Sequence, residues 1–254
     1  MLADAGSGVV VAIVCAAVFG TSFISGVFGM AGGLILIGAL IAFGLPMPVV
    51  MTYHGIAQAA SNVWRALLWW RWVDPRILAW FIAGGLVAFA VFSVLRFVPD
   101  RAVVLIAIGI LPFAALALPD RLVPKADRPT GAAICGMTSV GTQLFAGVSG
   151  PLLDAFFVRS GADRRLVVAT KAACQFFGNL FKIVYFTALS PPGSWSAETA
   201  SAIAIVVASF LGTAASRSLL ERLTDAHFRV WTRAIVLVAG AVSLAAGLLD
   251  LADL

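Results

Sequence analysis

Long apolar runs, broken by a few short polar clusters, make up almost the whole chain. Hydrophobic segments of about 20 residues recur from end to end, the length that crosses a hydrocarbon core of about 30 Å as a helix. They are continuous rather than alternating, which argues against a β-barrel. The pattern predicts helices over 8–27, 33–44, 47–70, 76–96 and 102–118, and again over 130–146, 150–159, 163–188, 198–219 and 227–249. The segments at 33–44 and 150–159 reach only about 15–18 Å, roughly half the core. Each is expected to form a hairpin with the helix before it, broken by glycine at membrane depth. Irregular backbone is tolerated there only where protein buries it or a wet cavity solvates it. Between the halves, "PDRLVPKADRPTG" has the proline and charge density of an exposed loop.

The stretch "TYHGIAQAASNVWRALLWW" (52–70) departs from this pattern, because His54, Gln58, Asn62 and Arg65 stand inside it. At 100° per residue they fall within an arc of about 80°, a single stripe on one helix. Sliding the chain against itself by 117 residues lays 28–65 over 145–182 with seven identities in 38 positions. That is little in so apolar a chain, but the rare polar letters coincide. Gln58 falls on Gln175, Asn62 on Asn179, Arg65 on Lys182 and His54 on Lys171, in a protein with two asparagines and three glutamines. Gly33 and Gly150 also align, as do Gly44 and Gly161. The chain reads as an internal duplication, an arrangement common in secondary transporters. The expected organisation is a first repeat over 1–119, a cytoplasmic linker over 120–129 and a second repeat over 130–254.

Corresponding loops carry opposite basic character. "LPMP" after Gly44 is uncharged, whereas "GADRR" after Ser160 holds Arg164 and Arg165; the turn at Arg71 and Arg76 is basic, its mate "SPPGSW" is not. Inverted repeats behave this way. Assigning the turns near Arg71, Lys125, Arg165 and Arg222 to the cytoplasm places 12 of 17 Lys and Arg inside. Arg96 and Arg101 fall outside, against the rule, and both termini come out external. The expected fold is therefore an all-α integral membrane protein of two inverted-topology repeats, each a broken helix hairpin plus three transmembrane helices, in a bacterial inner membrane.

Composition agrees with this reading. Of 254 residues 61% are hydrophobic and 11% charged, with mean hydropathy +1.03, where a soluble domain carries about 25% charge. The net charge of +5 is explained by inside-positive loops rather than by nucleic acid. "MLADAGSG" lacks a basic n-region, so 9–17 reads as the start of a permanent helix and not a cleaved signal. Cys15, Cys135 and Cys174 are odd in number, lie in apolar segments and have no metal spacing, so they fill space. No metal and no cofactor is expected.

An ionisable group in the bilayer costs at least about 2.5–3.5 kcal/mol, so both polar stripes should face each other or a cavity. One reading is interhelical glue, with Arg65 or Lys182 snorkelling to the interface. The duplicated set favours another. Gln58, Asn62, Gln175 and Asn179 would replace the water around a small anion, and Arg65, Lys171 and Lys182 would neutralise it. Of the acidic residues only Asp154 lies in an apolar helix, where it can pair with an arginine such as Arg159. At Gly32–Gly33 and Gly150–Pro151 the short helices start, and free N–H groups with positive dipole ends suit an anion. Close helix packing is the plainer role of these glycines. His54 can carry a coupling proton, or serve as a neutral wall residue.

Together "GVFGMAGGLILIGALIAFGLP" and "WWRWVDPRILAWFIAGGLVA" resemble the sulfite exporter TauE/SafE family, most closely over 26–85 and more loosely in the second half. The resemblance implies a duplicated helical bundle that moves sulfur-containing anions such as sulfite or an organosulfonate. The family's first break is often a Gly-Gly-Gly run; here it is "GMAGG", and the second break is "GVSGP". The expectation is thus a secondary transporter, an exporter working by alternating access, whose partners are a small anion, a coupling proton or sodium ion, and the bilayer. A passive anion channel is the alternative. An intramembrane enzyme is disfavoured, because His54 has no carboxylate in its helix.

Overall fold

The computed structural model describes residues 7–28, 31–119, 123–158, 163–189, 199–216 and 225–252. Ten α-helices make up the described chain. The first half holds α1 (Ser7–Phe28), α2 (Ala31–Ala42), α3 (Met47–Leu68), α4 (Pro75–Leu95) and α5 (Arg101–Ala117). The second holds α6 (Pro129–Ala146), α7 (Gly150–Val158), α8 (Arg164–Leu189), α9 (Thr199–Ala215) and α10 (Asp225–Ala252). No strand occurs among the described residues. Four spans, within α1, α4, α8 and α10, are long and apolar enough to cross a membrane. At 12 and 9 residues, α2 and α7 are the half-length elements.

Local chemistry sets the boundaries. Asp74 caps α4, its Oδ1 accepting from Arg76 N at 2.8 Å and Ile77 N at 3.2 Å, with Pro75 at the first helical position. The same Asp74 donates its own N–H to Thr170 Oγ1 at 2.9 Å, which pins the start of α4 to α8. Gly147 ends α6 in the left-handed region at φ 77°, which a side chain would resist. The first break expected, at residues 29–30, lies outside the described residues, as do residues 159–162, 190–198 and 217–224.

Packing pairs helices across the halves. α3 lies against its mate α8, and α5 against its mate α10; α1 packs on α9 as α6 packs on α4. Exchanging mates therefore leaves this scheme unchanged. Both mate pairs run antiparallel. Gly55 sits beside Lys182 and Ile183, while Asp74 meets Thr170; Arg101 pairs with Asp250 at 3.3 Å, while Gly109 meets Leu244. Both observations are consistent with an inverted duplication. Close approach is built from small residues: a Cβ on Gly84 would lie 1.9 Å from Ala133 O, and one on Gly136 1.9 Å from Phe81 O. Hydroxyls join α1, α3 and α9 through Ser22–Ser209 (3.1 Å), Ser209 to Ala57 O (2.7 Å) and Ser61–Thr213 (3.0 Å).

Outward faces of α4 and α10 are apolar, with Val94 83% and Val230 67% exposed. Trp64, Trp69, Trp70, Trp72 and Trp80 are exposed around the end of α3, and the Arg165 guanidinium lies 5.1 Å from the Trp72 ring. This is the composition of a membrane–water boundary. The segment between the halves is exposed at Lys125, Asp127 and Arg128, as expected of a loop, but not throughout. Val123 and Ala126 are buried in it, and Ala126 N–H donates to Phe156 O of α7 at 3.4 Å. Two apolar side chains among its charges are enough to fold it under α7.

Candidate functional site

The two half-helices start at one polar cavity. Gly33 and Leu34 of α2 line it from one side, and Ser149, Gly150 and Pro151 at the start of α7 from the other. Between them α3 contributes His54, Gln58 and Asn62, α8 contributes Gln175 and Asn179, and α6 contributes Gln143. The two stripes thus face each other, and Gln58 and Gln175 border the same space. Its free volume of about 30 Å³ exceeds the roughly 10–15 Å³ a single water needs, so it has room for water or a compact polar guest.

Side-chain bonding leaves particular atoms free to face such a guest. Gln58 Nε2 and Asn179 Oδ1 are buried without a hydrogen-bond partner, a state that costs about 1–3 kcal/mol per group. Asn179 Nδ2 donates to Gln175 O at 2.8 Å. Gly33 packs its bare Cα on the Gln58 amide, where a Cβ would stand 3.3 Å from Cδ and Oε1. The first turns of α2 and α7 border this same space, and the first N–H groups of a helix have no intrahelical acceptor. Two positive dipole ends therefore converge on the amides.

The cations are placed differently from one another. Lys182 is wholly buried, and its Nζ donates to His54 Nδ1 at 2.6 Å and to Gly147 O at 2.8 Å. His54 Nε2 lies 3.0 Å from Gly33 O, and since a carbonyl only accepts, that nitrogen carries the hydrogen. Lys182 therefore stands directly behind His54 at the cavity wall, with no carboxylate partner among the described residues. Arg65 lies outside the cavity and holds Asn62 from behind, Nη2 donating to Asn62 Oδ1 at 2.7 Å. Lys171 also lies outside the lining, ion-paired with Asp154 of α7, whose charge also acts on Arg65. The acid that the sequence sets beside Arg159 thus pairs with Lys171, one helix over.

Gly32 is turned away from the cavity. A Cβ there would fall 2.0 Å from Thr21 O, so this glycine serves the α1–α2 hairpin. Gln143 and Ser149 are the polar lining residues that sequence reasoning missed. Gln143 is the third glutamine of the chain, alone in an apolar helix, and that isolation is the signal that could have found it. Among the described residues no group of His, Cys, Asp and Glu gathers as metal ligands would.

Comparison with known proteins returns one match. A family model described as "Sulfite exporter TauE/SafE" matches residues 14–243, nearly the whole chain. Neither the curated proteins nor the solved structures compared with the chain include a match.

Proposed function

Because the chain belongs to the sulfite exporter TauE/SafE family, a transporter family, and carries four helices fit to cross a membrane, we propose that it is a multi-pass secondary transporter exporting a small sulfur-containing anion. Sulfite and organosulfonates are the substrate class, and the mechanism is alternating access between two inverted repeats, 1–119 and 130–254, joined by the segment 120–129. The carrying observation is the cavity itself. Two helix starts and amides from both stripes converge where Gln58 Nε2, a donor, lacks a partner, and Lys182 stands behind His54 at the wall. Asn179 Oδ1, also without a partner, is an acceptor that takes the O–H of a water or of a protonated anion. An oxyanion offers several acceptor oxygens and negative charge, which suit N–H donors, dipole ends and Lys182 together. Gln58, Asn62, Gln175, Asn179, Gly33 and Gly150 are the residues that would touch it, with Arg65 holding Asn62 from outside the cavity.

In this reading the protein sits in a bacterial inner membrane with both termini external, consistent with the basic loops. Transport, rather than a channel or a reaction, is what the family supports. Purified protein in proteoliposomes, offered sulfite, sulfoacetate, thiosulfate, sulfate and small carboxylates, should move at least one sulfur oxyanion in a saturable way and discriminate against carboxylates. Flux of none of them, or equal flux of all, would overturn the proposal.

A further inference from the structure

His54 and Lys182 do more than border the cavity, because together they reach the backbone at both breaks. His54 belongs to α3 of the first half and Lys182 to α8 of the second. One bonds the carbonyl of Gly33 in the first turn of α2, the other the carbonyl of Gly147 at the end of α6. The run is Gly33 C=O to Nε2–H of His54, then Nδ1 to an N–H of Lys182, then a second N–H of Lys182 to Gly147 C=O. A single lone pair, on His54 Nδ1, joins its two parts.

We propose that this pair is a proton-operated tie between the two breaks, and that the proton it takes up is the ion coupled to anion movement. The second part rests on the transporter reading above; the first does not. Proton counting gives the mechanism. Neutral or singly protonated, the pair stays joined, since Lys182 always has an N–H to give and one shared proton can sit on either nitrogen. A second proton, taken from water onto Nδ1 while Lys182 is an ammonium, consumes the lone pair and leaves donor facing donor. The Lys182–His54 bond is then lost and the breaks are free to part. Release of that proton restores the tie.

Few other charged groups are near enough to interfere. Of the charged and titratable groups on α3 and α8, Arg65 is bonded to Asn62 and Lys171 to Asp154, Tyr53 is buried one residue before His54, and Tyr185 donates to the carbonyls of Phe92 and Phe97. The packed elements α2 and α9 carry no titratable residue; α1 and α6 carry only Cys15 and Cys135, α8 adds Cys174, and Arg71, Asp74, Arg76, Arg164 and Arg165 sit at helix ends. A doubly charged pair is therefore uncompensated until an anion enters the cavity that His54 lines. Anion and proton would then each strengthen the binding of the other, by the same factor in both directions. The two would cross together.

Hydrogen exchange tests the tie without reference to any substrate. After correction for intrinsic rates, protection of the hydrogen-bonded amides beside the tie, in the second turn of α2 and at Gly147, should fall together by about tenfold, the equivalent of one lost hydrogen bond, between about pH 8 and pH 5. In His54→Gln, which cannot take the proton, protection should be the same at both pH values. Protection that is independent of pH in the unaltered protein overturns the tie, and so does an undiminished pH response in His54→Gln. Coupling is read in proteoliposomes with thiosulfate, which holds no proton of its own in this range, and a trapped pH dye. Proton entry should accompany thiosulfate, and the stimulation of flux by an imposed pH gradient should vanish in His54→Gln. Thiosulfate flux without proton movement overturns the coupling while the anion reading stands. If no sulfur anion moves at all, the transporter reading fails, and the exchange measurement still judges the tie.

Discussion

At Gln58 the needs of folding and of binding oppose each other. Gln58 is 8% exposed and its Nε2 has no partner, so the protein bears an unmet polar group that an apolar residue would not have. Gln58→Met keeps the length and removes the amide. It should leave the melting temperature equal or higher, because a desolvation cost of about 1–3 kcal/mol disappears. Anion affinity should instead fall by about 10- to 150-fold, if a bond to a charged oxygen worth about 1.5–3 kcal/mol is lost. Thermal unfolding in detergent and concentration-dependent flux give the two readouts; a variant that is less stable and binds normally would make Gln58 structural. The stripe containing it was legible from sequence because rare polar letters recur at one spacing. The partnership of His54 with Lys182 was not. Sequence alignment sets each residue beside its mate, His54 on Lys171 and Lys182 on Arg65, whereas antiparallel packing of α3 on α8 sets His54 opposite Lys182. The same geometry leaves Arg65 and Lys171 at the other end, Arg65 bonded to Asn62 and Lys171 ion-paired with Asp154.

Among the elements, the half-helices were the most readable feature and their glycines the least. Apolar runs bounded by Gly and Pro placed α2 and α7 to within a few residues, since length alone separates a half-span from a span. Gly32 and Gly33 are adjacent and equivalent in the sequence, yet one meets backbone and the other a side chain. Gly32→Ala would drive a Cβ to 2.0 Å from Thr21 O and 2.7 Å from Ser25 Cβ. Neither can withdraw, so the α1–α2 hairpin should part and folded yield collapse. Gly33→Ala meets only the Gln58 amide at 3.3 Å, a flexible end that can give. Folded yield should persist there, with anion affinity reduced at least about tenfold as Gln58 is displaced. Size-exclusion profiles and flux separate the two cases, and equal behaviour of the two variants would refute the assignment. Gly84 and Gly136 could not be read at all, because their contacts join helices distant in sequence.

Taken whole, the molecule has one property that decides how it could work, namely whether its halves are inverted relative to the membrane. Each half contributes five described helices, and an odd number of alternating elements reverses the second half. The packing supplies an independent sign: α3 and α8 run antiparallel, as do α5 and α10, whereas an axis along the membrane normal would leave mates parallel. The Trp-rich turn after α3 and its mate after α8 should then lie on opposite faces. Its mate falls in 190–198, outside the described residues, so the test is chemical. With Cys15→Ala as background, since Cys135 and Cys174 are buried, Arg71→Cys should react with an impermeant maleimide only from the cytoplasmic side and Ser194→Cys only from outside. Labelling of both from one side would make the repeats parallel. The two half-helices would then enter from the same face, and a single cavity reached alternately from each side could no longer be built from their convergence.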